Sequence, residues 1–262
     1  MDAVLSNNEA ESRAQSGLIP INIPNTATLL TAIESALDES TGFQVATLNL
    51  DHVVKLRQDS EFRAAYGRHS HVTADGNPIV WLSRLAGEPV DLVPGSELID
   101  PICALAARKS VPVGFFGSQE DVLKRAAQIL KERHPGLQVV AMDAPPMGFD
   151  PQGEAGIEAA NGLLASGARI CFLALGAPKQ ELLASVIATQ APSLGAISIG
   201  AGLDFIAGHQ TRAPVWVRRL ALEWLWRMAQ NPRRLMMRYM SCLAVLPSLF
   251  LYALSLRRRR VE

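Results

Sequence analysis

Short apolar, β-branched runs alternate along this chain with longer segments of helical periodicity. The alternation favours a parallel sheet, because parallel neighbours must be joined by long crossovers that are usually helices. The pattern predicts strands over residues 45–50, 71–74, 111–116, 137–142, 169–175 and 196–199. It predicts helices over residues 52–66, 78–86, 97–108, 120–133, 154–165 and 179–189. We therefore expect an α/β protein with a Rossmann-like, open, mostly parallel sheet and helices on both faces.

The composition is that of a protein with a sizeable core. The chain has 262 residues, of which 48% are hydrophobic and 19% charged, so global disorder is excluded. Its three cysteines, Cys103, Cys171 and Cys242, are too far apart for a disulfide framework or a zinc motif, which fits a reducing compartment. Residues 1–17 are polar and lack the apolar stretch of a signal peptide. We expect them to form a flexible leader on a cytoplasmic protein.

Charge is distributed unevenly along the chain. Residues 212–262 hold eleven arginines against Glu223 and Glu262, so this segment carries a net charge of +9. Because the whole chain has 25 basic and 25 acidic residues, the remainder carries −9. Every basic residue of the segment is an arginine, whose planar guanidinium binds phosphate through two parallel hydrogen bonds. The segment therefore predicts an anionic partner, and nucleic acid, phospholipid and a phosphorylated substrate all fit it.

The same C-terminal segment is expected to be helical. Pro214 can open a helix at its first turn, and an apolar helical pattern follows until Asn231 and Pro232 interrupt it. A second apolar run, over residues 242–256, contains Pro247 and ends in four arginines. Its length is below the roughly 20 residues that a helix needs to span a bilayer. The pattern therefore favours a helix that lies at a membrane interface.

Four short motifs lie at the carboxyl ends of predicted strands. They are Thr47-Leu48-Asn49, Ala74-Asp75-Gly76, Gly176-Ala177-Pro178-Lys179-Gln180-Glu181 and Gly200-Ala201-Gly202-Leu203-Asp204-Phe205. The carboxyl ends of parallel strands lie at one edge of a sheet, and ligands bind at that edge in open α/β folds. We therefore expect the four motifs to come together in one site.

Each motif also has a purely structural interpretation. Asp75 could cap its Asp-Gly turn, or its carboxylate could act as a general base toward a sugar hydroxyl. Lys179 and Gln180 open a helix, and the N-terminus of a helix attracts phosphate. Gly200 and Gly202 lack the third glycine of a G-x-G-x-x-G fingerprint, which weakens a nicotinamide interpretation. The sequence has no metal-ligand spacing, so a departing diphosphate would have to be stabilised by side chains and backbone donors.

In combination, these motifs resemble those of the WecG/TagA/CpsF glycosyltransferases (glycosyltransferase family 26). The chain also has Gly-x-Gly-x-x-Phe-x-x-Gly, Arg-Ala-Pro, and Glu-Trp-Leu-x-Arg followed by Asn-Pro-x-Arg. The resemblance extends over residues 17–239, with the motifs in order. It implies an inverting, metal-independent enzyme without a cofactor, peripheral on the inner face of the bacterial membrane. Such an enzyme moves a sugar from a nucleotide diphosphate to a polyprenyl-diphosphate-linked sugar in the synthesis of a surface polysaccharide.

The motifs and the resemblance together give a candidate site. Asp75 would be the catalytic base, and the substrates would be bound by Thr47, Asn49, Lys179, Gln180, Gly200, Gly202 and Asp204. The leaving diphosphate would be stabilised by Arg212, Arg218, Arg227, Arg233 and Arg238. The expected partners are a UDP-sugar, a polyprenyl-diphosphate-linked saccharide and the inner membrane surface, without nucleic acid.

These expectations divide the chain into three parts. They are a leader over residues 1–17, an α/β catalytic domain over residues 18–211, and a basic, helical, membrane-associating appendage over residues 212–262. Two other functions stay open. A Rossmann-like oxidoreductase would bind NAD(P)H, and a non-catalytic anion-binding module would hold lipid or nucleic acid through the basic segment.

Overall fold

The computed structural model describes residues 20–214, 216–217, 221–230 and 232–259. Within these ranges six strands form one parallel sheet, in the order β2-β1-β6-β5-β3-β4. The strands are β1 (Gln44–Leu48), β2 (His71–Ala74), β3 (Val113–Gly117), β4 (Val139–Asp143), β5 (Ile170–Ala174) and β6 (Gly195–Ser198). The prediction of an open α/β sheet is confirmed. The expected leader over residues 1–17 lies outside the described residues.

Nine helices connect or flank the strands within residues 20–214. They are α1 (Thr26–Asp38), α2 (Leu50–Gln58), α3 (Ser60–Gly67), α4 (Asn77–Leu85), α5 (Gly95–Lys109), α6 (Glu120–Arg133), α7 (Glu154–Ala165), α8 (Lys179–Gln190) and α9 (Gly202–Ala207). Alternate residues of a strand face opposite sides of the sheet. Accordingly, Ile170 and Phe172 pack with α1, α5 and α6, whereas Cys171 and Leu173 pack with α7 and α8. Helices therefore cover both faces.

Two local features differ from the prediction. The single helix expected over residues 52–66 is divided into α2 and α3 at Asp59. The Asp59 carboxylate accepts a hydrogen bond of 2.9 Å from the backbone N–H of Phe62, so a new helix begins there with its own cap. Helix α1, which no prediction covered, begins with a similar cap, from Asn25 to the N–H of Thr28.

The C-terminal segment forms helices α10 (Glu223–Gln230) and α11 (Pro232–Arg259). The helix expected to continue from Pro214 to residue 230 is interrupted at Ala221, whose φ of 60° lies in the left-handed region. Pro232, which was expected to interrupt the helical pattern, is the first residue of α11.

Helix α11 corrects the predicted length of the apolar run. It continues through Pro247, and its span Leu235–Arg259, 25 residues long, could cross a membrane by length and composition. Pro247 is exposed, so the carbonyl that its missing N–H leaves unbonded can be hydrated. Cys242, Leu249 and Ala253 are buried, and α11 packs with α2 and α4.

Candidate active site

The four motifs found in the sequence meet at one edge of the sheet. Strands β2, β1, β6 and β5 are consecutive neighbours, and one of the motifs lies at or just after the carboxyl end of each. All strands are parallel, so the four carboxyl ends form a continuous edge. Strands β3 and β4 extend the sheet beyond β5 and carry none of the motifs.

Asp75 lies in the turn between β2 and α4 and is half-buried. Its backbone N–H donates a 2.8 Å hydrogen bond to the carbonyl oxygen of Leu48, the last residue of β1. The next residue, Gly76, has a φ of 96°, which favours glycine, and it lets α4 begin immediately afterwards. This tight turn fixes Asp75 beside the Thr47-Leu48-Asn49 motif.

Thr47 and Asn49 occupy the end of β1. Thr47 is buried, and its hydroxyl oxygen lies 3.3 Å from the point where a Cβ on Gly95 would stand, at the start of α5. The side-chain oxygen of Asn49 accepts a 3.0 Å hydrogen bond from the N–H of His52 and thereby caps α2. This oxygen of Asn49 therefore has a structural role at the start of α2.

Gln180 connects the two glycine-containing motifs. Its side-chain oxygen accepts hydrogen bonds from the N–H groups of Gly176 (3.2 Å) and Gly200 (3.0 Å). Its amide group donates a 2.8 Å hydrogen bond to Glu181, which fixes the orientation of the amide. Both side chains are buried. Gln180 thus joins the loops that follow β5 and β6.

Sequence reasoning missed Glu181, the last residue of the Gly-Ala-Pro-Lys-Gln-Glu motif. Glu181 is completely buried, and its second carboxylate oxygen has no hydrogen-bond partner among the described residues. Burial raises the pKa of Glu181 to about 7, against the opposing effect of the Gln180 hydrogen bond. The charges of Glu181 and Asp75 add to burial in raising the pKa of Tyr66, so both carboxyl groups lie near this phenol.

Tyr66 links this cluster to α2. Its hydroxyl lies 3.2 Å from Nδ1 of His52, which is buried as well. Burial lowers the pKa of His52 to about 3, so the imidazole is neutral at physiological pH. The phenol of Tyr66 and the imidazole of His52 are therefore buried and uncharged at physiological pH.

The remaining predicted substrate residues also have partners within the fold. The Lys179 ammonium donates a 2.7 Å hydrogen bond to the carbonyl oxygen of Phe149. Asp204 accepts a 3.2 Å hydrogen bond from Ser118 and lies 3.4 Å from Nδ1 of His209. A Cβ on Gly202 would come within 2.5 Å of Ile99 Cδ1, so this glycine permits close packing of α9 on α5.

Two of the predicted arginines contact the edge through carboxylates. Arg212 Nη2 lies 2.6 Å from Glu97 Oε1 in the first turn of α5, and Arg238 Nε lies 2.8 Å from Asp51 Oδ1 in the first turn of α2. Arg233 is exposed. Arg218 and the side chain of Arg227 lie outside the described part of the chain.

An apolar cleft begins beside the same edge. It lies between α4 and α11 and starts at Leu48, the residue before Asn49. Its lining is formed by Pro20, Ile21, Leu48, Val53, Ile79, Leu82, Ser83, Ala86, Glu88, Leu249, Tyr252, Ala253 and Leu256. A carboxylate in a turn, cationic side chains and an apolar cleft therefore occur together. This arrangement can accept a proton, bind an anion and hold an apolar chain.

Comparison with known proteins agrees with this combination. Residues 17–261 match the family model described as Glycosyl transferase WecG/TagA/CpsF family. An N-acetylglucosaminyldiphosphoundecaprenol N-acetyl-beta-D-mannosaminyltransferase of Bacillus spizizenii is 27% identical over 199 residues, which are 76% of this chain and 75% of the relative. A protein of the same name from Bacillus subtilis is 23% identical over 219 residues, 81% of this chain and 83% of the relative.

Proposed function

Because the chain belongs to the WecG/TagA/CpsF glycosyltransferase family, we propose that it moves a sugar from a UDP-sugar to a polyprenyl-diphosphate-linked saccharide. The product would enter a bacterial surface polysaccharide. Membership of this family makes the chain a glycosyltransferase, not an oxidoreductase or a non-catalytic anion-binding module. The observation that supports the proposed mechanism is the position of Asp75, which is half-buried at the edge where all four motifs meet.

The proposed reaction is a single displacement at the anomeric carbon of the donor. Asp75 accepts the proton of an acceptor hydroxyl as the hydroxyl oxygen forms its bond to that carbon. The bond from the anomeric carbon to the diphosphate oxygen breaks in the same step, and its electron pair leaves with the nucleoside diphosphate. One displacement inverts the anomeric configuration.

We assign the stabilisation of the negative charge on the departing diphosphate to the arginines of the C-terminal segment. Arg212 and Arg238 support this assignment, since each is held by a carboxylate at the start of a helix that begins at the edge. A guanidinium bonded through one nitrogen keeps further donors for a phosphate oxygen. Arg218, Arg227 and Arg233 stay predictions for the same role. This charge compensation by side chains requires no metal ion.

The lipid part of the acceptor fits the apolar surfaces near the site. The cleft between α4 and α11 begins beside Asn49, and the side of α11 facing away from the body exposes large apolar side chains. These are Met236, Met237, Met240, Leu243, Phe250 and Leu251. The exposed arginines 257–259 follow directly. An apolar face with a cationic end supports the proposal of peripheral association with an anionic membrane surface, which we take to be the inner face.

The proposal is tested by comparing two aspartates that both lie at the carboxyl ends of parallel strands. Asp75→Asn should reduce transfer at least a hundredfold, because the base is lost while the shape is kept. Asp143→Asn is the matched control: Asp143 ends β4 at the opposite edge strand, is exposed, and should retain wild-type activity. Wild-type turnover by Asp75→Asn would return Asp75 to a turn-capping role.

The relatives' names define the first substrates for this assay. Their acceptor is N-acetylglucosaminyldiphosphoundecaprenol and their transferred sugar is N-acetylmannosamine. A short-chain analogue of that acceptor should be assayed with a panel of UDP-sugars and with the same sugars on other nucleotides. Transfer from UDP-sugars, with inversion detected by NMR of the product, is the expected result. Retention of configuration would contradict the single displacement.

A further inference from the structure

Asp51 makes two ionic contacts that join separate parts of the molecule. It is the second residue of α2, and its side chain is only 11% exposed. One carboxylate oxygen lies 2.8 Å from Arg238 Nε on α11. The other oxygen lies 2.7 Å from the Lys55 ammonium, one turn further along α2.

Lys55 extends this connection to the loop that follows β5. Its ammonium donates a 3.0 Å hydrogen bond to the carbonyl oxygen of Ala177, within the Gly-Ala-Pro-Lys-Gln-Glu motif. Gln180 of the same motif holds the next loop through Gly200. A continuous series of contacts therefore runs from α11, through Asp51 and Lys55, to both glycine-containing loops of the edge.

Because Asp51 is largely shielded from solvent, these ionic contacts contribute more than exposed ion pairs do. Exposed ion pairs contribute little, whereas removing one partner of a shielded pair leaves a poorly solvated charge. Arg238 itself is 45% exposed, so its guanidinium reaches solvent at the edge while its Nε stays on Asp51. Holding a long, flexible side chain in advance lowers the entropy lost when it engages an anion.

We propose that Asp51 is a positioning residue for the transfer reaction, holding Arg238 at the edge so that its terminal nitrogens meet the leaving diphosphate. Asp51 touches no substrate and acts through Arg238. The inference rests on the proposed function, in which Arg238 stabilises the diphosphate as it departs. Since that charge develops in the transition state, loss of the positioning should lower kcat more than it raises the KM for the donor.

The test is a double-mutant cycle with Asp51→Asn and Arg238→Gln in the full-length protein, with the UDP-sugar and short-chain acceptor that the wild type uses. Each single variant should lower kcat about tenfold to a hundredfold, and the double variant should be no slower than Arg238→Gln alone. Asp51→Glu, which keeps the charge, should recover most of the kcat. Equal losses from Asp51→Asn in the presence and absence of Arg238 would overturn the proposal.

Ser248→Ala separates positioning from simple attachment of α11. Ser248 accepts a 3.0 Å hydrogen bond from Arg57 of α2, so it joins the same two helices without touching Asp51. Loss of this hydrogen bond in Ser248→Ala should leave kcat unchanged. Hydrogen exchange of the backbone amides of residues 235–242 should be faster in Asp51→Asn than in the wild type, but not in Asp51→Glu. A fall in kcat equal to that of Asp51→Asn would reduce Asp51 to an anchor and overturn the proposal.

The cycle also separates this proposal from the proposed function. If Arg238→Gln retains the wild-type kcat, Arg238 has no part in the reaction and the positioning role of Asp51 is refuted. A wild type that still transfers sugar and still depends on Asp75 would leave the proposed function intact.

Discussion

Replacing Glu181 by glutamine should remove a loss of stability that the wild type undergoes between about pH 4.5 and pH 7. Glu181 is completely buried, and burial raises its pKa from an ordinary value of 4.5 to about 7. The folded protein therefore retains a proton on this carboxyl over a pH range in which the unfolded chain has lost it. Over that range the free energy of unfolding falls as the pH rises.

The size of the effect follows from the two pKa values. Below about pH 4.5 the carboxyl is protonated in both states, and above about pH 7 it is ionised in both, so the contribution changes only in between. At about 1.4 kcal/mol for each pH unit, the rise to about 7 corresponds to a loss of about 3 kcal/mol. Glutamine keeps the shape and its oxygen can still accept the hydrogen bond from Gln180, but it does not ionise.

The assay is urea unfolding of wild type and Glu181→Gln in a mild detergent at pH 4.5, 5.5, 6.5 and 7.5. The difference between the two proteins cancels other titrating groups, among them His52, whose lowered pKa makes stability rise with pH over the same range. The variant should gain about 3 kcal/mol relative to wild type from the lowest to the highest pH. Glu158→Gln, at an exposed position of α7, should show no such trend. A constant difference for Glu181→Gln would refute the argument from burial.

Sugar transfer should persist in excess EDTA, because arginines rather than a metal ion are proposed to stabilise the leaving diphosphate. A loss of activity that Mg²⁺ or Mn²⁺ restores would contradict the metal-independent mechanism. Membrane binding should have two separable parts, measured by vesicle flotation. Leu251→Ser, on the exposed face of α11, should weaken binding to neutral and anionic vesicles alike, in a manner that salt does not reverse. Replacing arginines 257–259 by glutamine should weaken only the salt-sensitive binding to anionic vesicles, by about 1 kcal/mol for each residue. Identical behaviour of the two variants would contradict this division.

The fold could be predicted because its strands and helices have clear local patterns of apolar residues in the sequence. Strands such as β1 and β5 are short runs buried on both faces, whereas the edge strand β4 is largely exposed. Parallel order requires that all carboxyl ends share one edge. Assignment of the four motifs to that edge needed only their positions after strands. The missed division at Asp59 shows the limit: a single carboxylate can cap a new helix inside a stretch whose apolar period hardly changes.

The site could be predicted only in part, since residue types do not reveal which partners the fold provides. Gln180 has the donors and acceptors of a substrate ligand, yet its oxygen holds two loops together through Gly176 and Gly200. Glu181 reads as an ordinary helix residue in the first turn, and its burial becomes evident only when α8 packs against the sheet and α3. Burial of a charged group depends on long-range packing, which no local pattern encodes.

The uneven charge of the chain has an internal consequence as well as an external one. A basic segment of +9 predicts an anionic partner, but the remainder of the same chain carries −9 and offers carboxylates at short range. Arg212 and Arg238 contact two of them, Glu97 and Asp51, and both carboxylates lie in first helical turns at the edge. Attraction within the chain therefore places arginines beside the site before any substrate arrives, while arginines 257–259 remain exposed for a membrane. Added salt should loosen both sets of contacts, but Asp51 is shielded and the terminal arginines are not, so membrane binding should weaken first.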